Sequence, residues 1–163
     1  MENLSLNNLR DKYNCLALEE LTGVYPVPVG KICSNLGIEA NYLPLSEDIS
    51  GRIYRSNNKY FIEANCRHAI NRRRFTVAHE LGHYCLHKDF LDSNGMILER
   101  STRSFVIRDK EIEADSFAAE LLMPRIHFIK IHDKLKNIDS LSQYFLVSKL
   151  AIEMRIKTLL GKL

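Results

Sequence analysis

No run of apolar residues in this 163-residue chain exceeds four, the longest being Cys15 to Leu18 and Tyr144 to Val147. A membrane-spanning helix needs about 20, so none is expected. Nor does the chain open on a Lys/Arg-led apolar stretch, so no secretory leader is expected. Proline (4) and glycine (7) are scarce, and 45% of the residues are hydrophobic, which excludes collagen-like, low-complexity and disordered classes. Cysteine is sparse too. Cys15, Cys33, Cys66 and Cys85 are 18, 33 and 19 apart with no CxxC pair, a spacing that fits reduced thiols in the cytoplasm better than a disulfide framework or a Cys-type zinc site. Basic residues (23) exceed acidic ones (20) by only +3, too dilute to argue for nucleic-acid binding by itself. At about 150 residues per domain the length predicts one domain, residues 1–163. A domain of this size buries about two-thirds of its unfolded surface and needs no covalent staple.

What is present is a mixture of helical and strand patterns, an α+β class. Leu4, Leu9, Tyr13, Leu16 and Leu21 suggest an N-terminal helix stopped by Gly23, with Pro26 and Pro28 keeping the next segment extended. A short helix is expected from about Val29 to Leu36, closed by Gly37. Three strand-like pieces follow, Ile38 to Leu43, Gly51 to Arg55 and Lys59 to Ala64, with Asn57-Asn58 as a tight turn. They predict a small, largely antiparallel sheet. A central helix should run from about Arg72 to His87 with Asn71 as its N-cap and Phe75, Ala78, Gly82, Cys85 and Leu86 as its apolar stripe. Residues 89–109 read as a loop or flap. Another helix is expected from Lys110 to Met123, ended by Pro124. The last third reads as helices broken at Leu146-Val147-Ser148, with Ser140 as an N-cap.

The chemistry lies in His79-Glu80-Leu81-Gly82-His83, an HExxH sequence on the strongest helix. Residues four apart sit one turn apart on one helical face, so both imidazoles can reach one ion at about 2.0–2.1 Å. Glu80 is rotated away from His79 and is free to hold a water instead of the metal. One Zn2+ is the expected cofactor.

Two histidines do not complete a zinc site, and three sources of a further ligand compete. Asp89 lies six residues past His83, but Leu86 stands where that route needs a chain-turning glycine. His87 continues the spacing, yet three histidines at i, i+4 and i+8 span roughly 12 Å along a straight helix at 1.5 Å per residue. His87 is therefore read as a pocket wall or helix-end histidine. On the next helix Glu111 and Asp115 share a face while Glu113 points elsewhere. One carboxylate could bind the metal while the other orients a ligand histidine; Glu111 is favoured as ligand, with Asp115 as its partner.

The stretches RRFTVAHELGHYCLH (73–87) and EIEADSFAAELLMP (111–124), with LGIEANYLPL, SGRIYR, KYFIEAN and the closing helices, resemble the ImmA/IrrE family of metallopeptidases over about residues 25–160. The resemblance implies a gluzincin-like zinc endopeptidase of cytoplasmic type, with His79 and His83 as ligands and Glu80 as catalytic base. The third ligand maps onto Glu111, with Glu113 as the adjacent alternative. The implied substrate is a helix-turn-helix transcriptional repressor of a mobile element or stress response, carried on a separate chain. No direct contact with nucleic acid or membrane is implied. The rival reading is a non-catalytic binding partner, an anti-repressor that uses the zinc fold to hold such a regulator. The basic run Arg72-Arg73-Arg74 is expected to pair with nearby acids, and the helix pair around Phe145 to Ser148 to serve packing rather than DNA reading.

Overall fold

The computed structural model describes residues 23–94 and 105–161; the predicted N-terminal helix lies outside them. Asn57 and Asn58 both adopt positive φ, 49° and 62°, the twisted turn that lets two strands fold back without splaying. They join β2 (Gly51–Ser56) to β3 (Lys59–Asn65), which pair antiparallel with Ile53 opposite Ile62. β1 (Ile38–Leu43) follows α1 (Val29–Asn35), whose exit is turned by Gly37 at φ 70°.

The sheet is mixed rather than largely antiparallel. β1 runs parallel to β3, Ile38 opposite Tyr60, and the order is β1-β3-β2. The physical reason is burial. From Ile62 to Asn65 every residue of β3 is buried, whereas β1 is mostly exposed or half-buried, so the most buried strand takes the centre. Both edges of β3 are therefore paired, which leaves it no free edge for a further strand. Asn65 fastens the connection between β1 and β2 by donating to the carbonyls of Ser46 (3.1 Å) and Ile49 (3.0 Å).

α2 (Ile70–Leu86) begins two residues before the expected start. Ala69 precedes it without a side-chain cap, and Asn71 lies inside the helix, its Oδ1 accepting from the Arg72 N–H at 2.9 Å. All of Thr76–His83 is buried. Of the predicted stripe, Ala78 and Gly82 are buried, while Phe75, Cys85 and Leu86 are half-buried. Arg72 donates to Ser50 Oγ at 3.0 Å and Arg73 stacks over Tyr42, 5.3 Å from its ring centre, contacts the pairing with acids did not foresee. α3 (Lys88–Asn94) and α4 (Phe105–Leu122) occupy both ends of the predicted loop. Arg55 (3.2 Å) and the Tyr60 hydroxyl both donate to Asp92 on α3, and Leu91 beneath it is buried.

The described residues group into two compact units. Val29–Ala118 holds the sheet, α1 to α3 and most of α4, around Ile32, Ile53, Ile62, Val77, Leu81 and Phe117. The second unit comprises, among the described residues, 23–28 and 119–161. Its helices are α5 (Arg125–Leu135), α6 (Ile138–Phe145) and α7 (Lys149–Leu160). Phe128, Leu141, Phe145, Val147 and Ile152 are among its buried apolar residues. Asn137, not Ser140, caps α6, accepting from the Ser140 N–H at 3.0 Å. The helix ends at Leu146 in the left-handed region, and Ser148 caps α7, so the break falls where the sequence predicts it.

At Gly82 α2 comes close to the backbone of α4. A Cβ there would lie 3.0 Å from Ala114 Cα and 3.1 Å from its carbonyl oxygen. Gly82→Ala gains about 1 kcal/mol of helix propensity but forces the helices apart against packed backbone, costing about 1–3 kcal/mol. A modest drop in thermal stability is expected, with a larger drop in metal affinity, because the helices part between the groups described next. Isothermal titration of the folded variant checks it.

Candidate metal centre

α2 presents His79 and His83 one turn apart, both almost fully buried. Their Nε2 atoms lie 3.0 Å from each other. α4, held close at Gly82, brings Glu111 to both: Oε2 is 3.3 Å from His79 Nε2 and Oε1 is 3.1 Å from His83 Nε2. These three residues are the candidate metal-holding group among the described residues. Two imidazole nitrogens and a carboxylate are borderline donors that suit Zn2+ and similar ions. A tetrahedral ion with bonds of about 2.0–2.1 Å spaces its ligands by about 3.3 Å. The donors therefore fit a metal ion by chemistry and by spacing.

Behind them Asp115 Oδ1 is 2.7 Å from His79 Nδ1. A carboxylate can only accept, so the Nδ1–H donates to it and the lone pair of the neutral ring faces the centre from Nε2. Burial works against a charged His79, but the hydrogen bonds to Asp115 and Glu111 outweigh it and raise its pKa to about 9. Burial likewise opposes a charged Glu111, and the contacts with His79 and His83 overcome it, holding the carboxyl well below its ordinary range. Burial lowers His83, partly offset by Glu111.

Glu80, one residue beyond His79, is buried within the helix's packed stretch. Asp89 lies exposed in the first turn of α3, and the converging group does not include it. Glu113 is not part of the group either; its Oε2 lies 2.8 Å from His87 Nε2. His87, read from sequence as a wall or helix end, is buried with its Nδ1 3.0 Å from His83 Nδ1. Its distance of four residues from His83 on the same helical face was the available signal. The Tyr60 hydroxyl donates a hydrogen bond to Asp92, and Tyr84 packs edge-on against Tyr60 at 4.9 Å.

No helix among the described residues is long and apolar enough to cross a membrane. No curated protein matched the sequence. A solved structure titled Mycobacterium tuberculosis transcriptional regulator shares the fold, with a TM-score of 0.62 and 18% identity over 94% of this chain. This chain spans about half of that one, 52% of its length. The family described as IrrE N-terminal-like domain, Peptidase_M78, matches residues 33–157, a span that contains both helices of the centre. On that match, which covers well over half of the sequence, the chain belongs to the Peptidase_M78 family of IrrE N-terminal-like domains.

Proposed function

We propose that this chain is a zinc-dependent endopeptidase, with His79, His83 and Glu111 holding the ion and Glu80 acting as general base. The observation that supports it best is the convergence of two Nε2 atoms and one carboxylate at 3.0–3.3 Å beside a buried glutamate. A zinc ion held there would act as a Lewis acid toward the scissile carbonyl and acidify the attacking water. Glu80 follows His79 in the chain, so its carboxylate is free of the ligand role. It takes the proton of the attacking water and returns it to the leaving amine. Asp115 keeps the His79 ring turned with Nε2 inward. The substrate we propose is a separate helix-turn-helix repressor, in keeping with the family resemblance and with the likeness to a transcriptional regulator.

The test is incubation of the purified chain with a candidate helix-turn-helix regulator, sought first among the products of neighbouring genes. Cleavage at one site is expected with zinc and none after chelation, read by mass spectrometry of the fragments. An intact regulator, held in a stable complex under zinc-replete conditions, would replace the peptidase reading with that of a binding partner.

A further inference from the structure

Behind His83 stands an arrangement unlike the single carboxylate behind His79. Three contacts form a line between two carboxylates. Glu113 Oε2 lies 2.8 Å from His87 Nε2, His87 Nδ1 lies 3.0 Å from His83 Nδ1, and His83 Nε2 lies 3.1 Å from Glu111 Oε1. Both ends of this line only accept hydrogen bonds, and each neutral imidazole carries a single N–H. Two protons must therefore serve three contacts, and one contact goes without.

Where the gap falls depends on the tautomers. With the proton of His83 on Nε2 and that of His87 on Nδ1, a lone pair would face the Glu113 carboxylate at 2.8 Å. Protons on both Nε2 atoms would set two lone pairs against each other at 3.0 Å, and protons on both Nδ1 atoms would set two N–H groups against each other there. The remaining arrangement puts the proton of His87 on Nε2, toward Glu113, and that of His83 on Nδ1, toward His87. The gap then falls between His83 Nε2 and Glu111, where the proposed ion would lie. It is also the arrangement a metal-binding imidazole requires, a neutral ring with its lone pair on the coordinating nitrogen.

We infer that His87 and Glu113 are positioning residues that hold His83 in its Nδ1–H tautomer and so set the metal affinity of the centre. The inference rests on the metal-site reading above. It gives Glu113, whose side chain is 60% exposed, a function at a centre it does not touch. It also explains why a histidine too far along the helix to be a third ligand is nonetheless buried against the second one.

The test is the zinc dissociation constant of the full chain, measured by competition with a chromophoric chelator. His87→Leu is expected to weaken binding about 10–100-fold, the usual effect of losing a group that orients a ligand histidine. His87→Gln is expected to recover much of this, because its amide oxygen can accept from His83 Nδ1–H while leucine cannot. Glu113→Ala, which removes the acceptor at an exposed position where the fold should be unaffected, is expected to weaken binding about tenfold. Circular dichroism of the metal-free proteins checks folding, and if His87→Leu does not fold, the other two variants decide. Wild-type affinity in Glu113→Ala, or equal losses in His87→Gln and His87→Leu, would overturn the inference. Glu111→Ala separates the two levels. If it binds zinc as tightly as wild type, the metal site itself is misassigned; if it loses zinc while Glu113→Ala does not, only the positioning role fails.

Discussion

Glu80→Gln is expected to reduce cleavage of the regulator by about 10²–10⁴-fold, the usual contribution of a general base. Its zinc content should match that of the wild type. The substitution keeps the size and hydrogen-bonding reach of the side chain, which matters because Glu80 lies in the fully buried stretch Thr76–His83 of α2. What it removes is the ability to take up a proton. The ligands are untouched, so metal content by elemental analysis and thermal unfolding should both remain close to wild type. A variant that holds zinc, folds and cleaves at the native rate would falsify the assignment of Glu80. His83→Ala provides the contrast, since it should lose metal and activity together.

The second large effect is on stability and lies in the other unit. Arg155 is buried on α7 and donates to the Glu120 carboxylate and, through Nη2 and Nε, to the Met123 carbonyl at 2.8 and 3.1 Å. Glu120 is buried as well, and its second oxygen accepts from the Arg125 N–H at 3.1 Å. One side-chain pair thus covers the open carbonyl at the end of α4 and the open N–H at the start of α5. Arg155→Met would leave a carboxylate buried without its counter-charge, a change that costs about 3–5 kcal/mol. Against a total stability of about 5–15 kcal/mol, that is expected to lower the melting temperature by roughly 10 °C or more. Adding Glu120→Gln should restore part of the loss, because the amide can still accept from Arg125 while carrying no charge. Calorimetry of the single and double variants measures this, and a loss no smaller in the double variant would show that the charge is not the cause.

The chain's punctuation was readable because each signal is local. Gly37 ends α1, Asn57-Asn58 turn the hairpin, and Leu146 to Ser148 separate α6 from α7 at positions where backbone conformation depends on the residue itself. The candidate ligands were readable because four-residue spacing on a helix is geometry that sequence alone implies. Less legible was whatever depends on partners distant in the chain. The central place of β3 follows from burial on both faces and pairing along both edges, which no local window contains. The same holds for Glu113, which helical phase turns away from Glu111 but which finds a partner in His87. Helix starts also shifted: capping was ascribed to Asn71 and Ser140, whereas Asn71 lies within α2 and Ser140 is the residue capped by Asn137. A capping residue and a first-turn residue have similar composition, and only the backbone angles separate them.

Every proposed ligand, and every group that orients one, lies on α2, on His87 that caps its C-terminus, or on α4, and the two helices meet at Gly82 and Ala114. To a bound ion the protein is therefore little more than two rods, described by a separation and an axial register. Sliding one rod past the other by a single residue displaces its donors by about 1.5 Å, several times the roughly 0.2 Å tolerance of a metal–ligand bond. An ion in this position would act as a gauge of helix register, strongly held in one setting and released in the next. The glycine at the crossing, by fixing how near the rods can come, calibrates it.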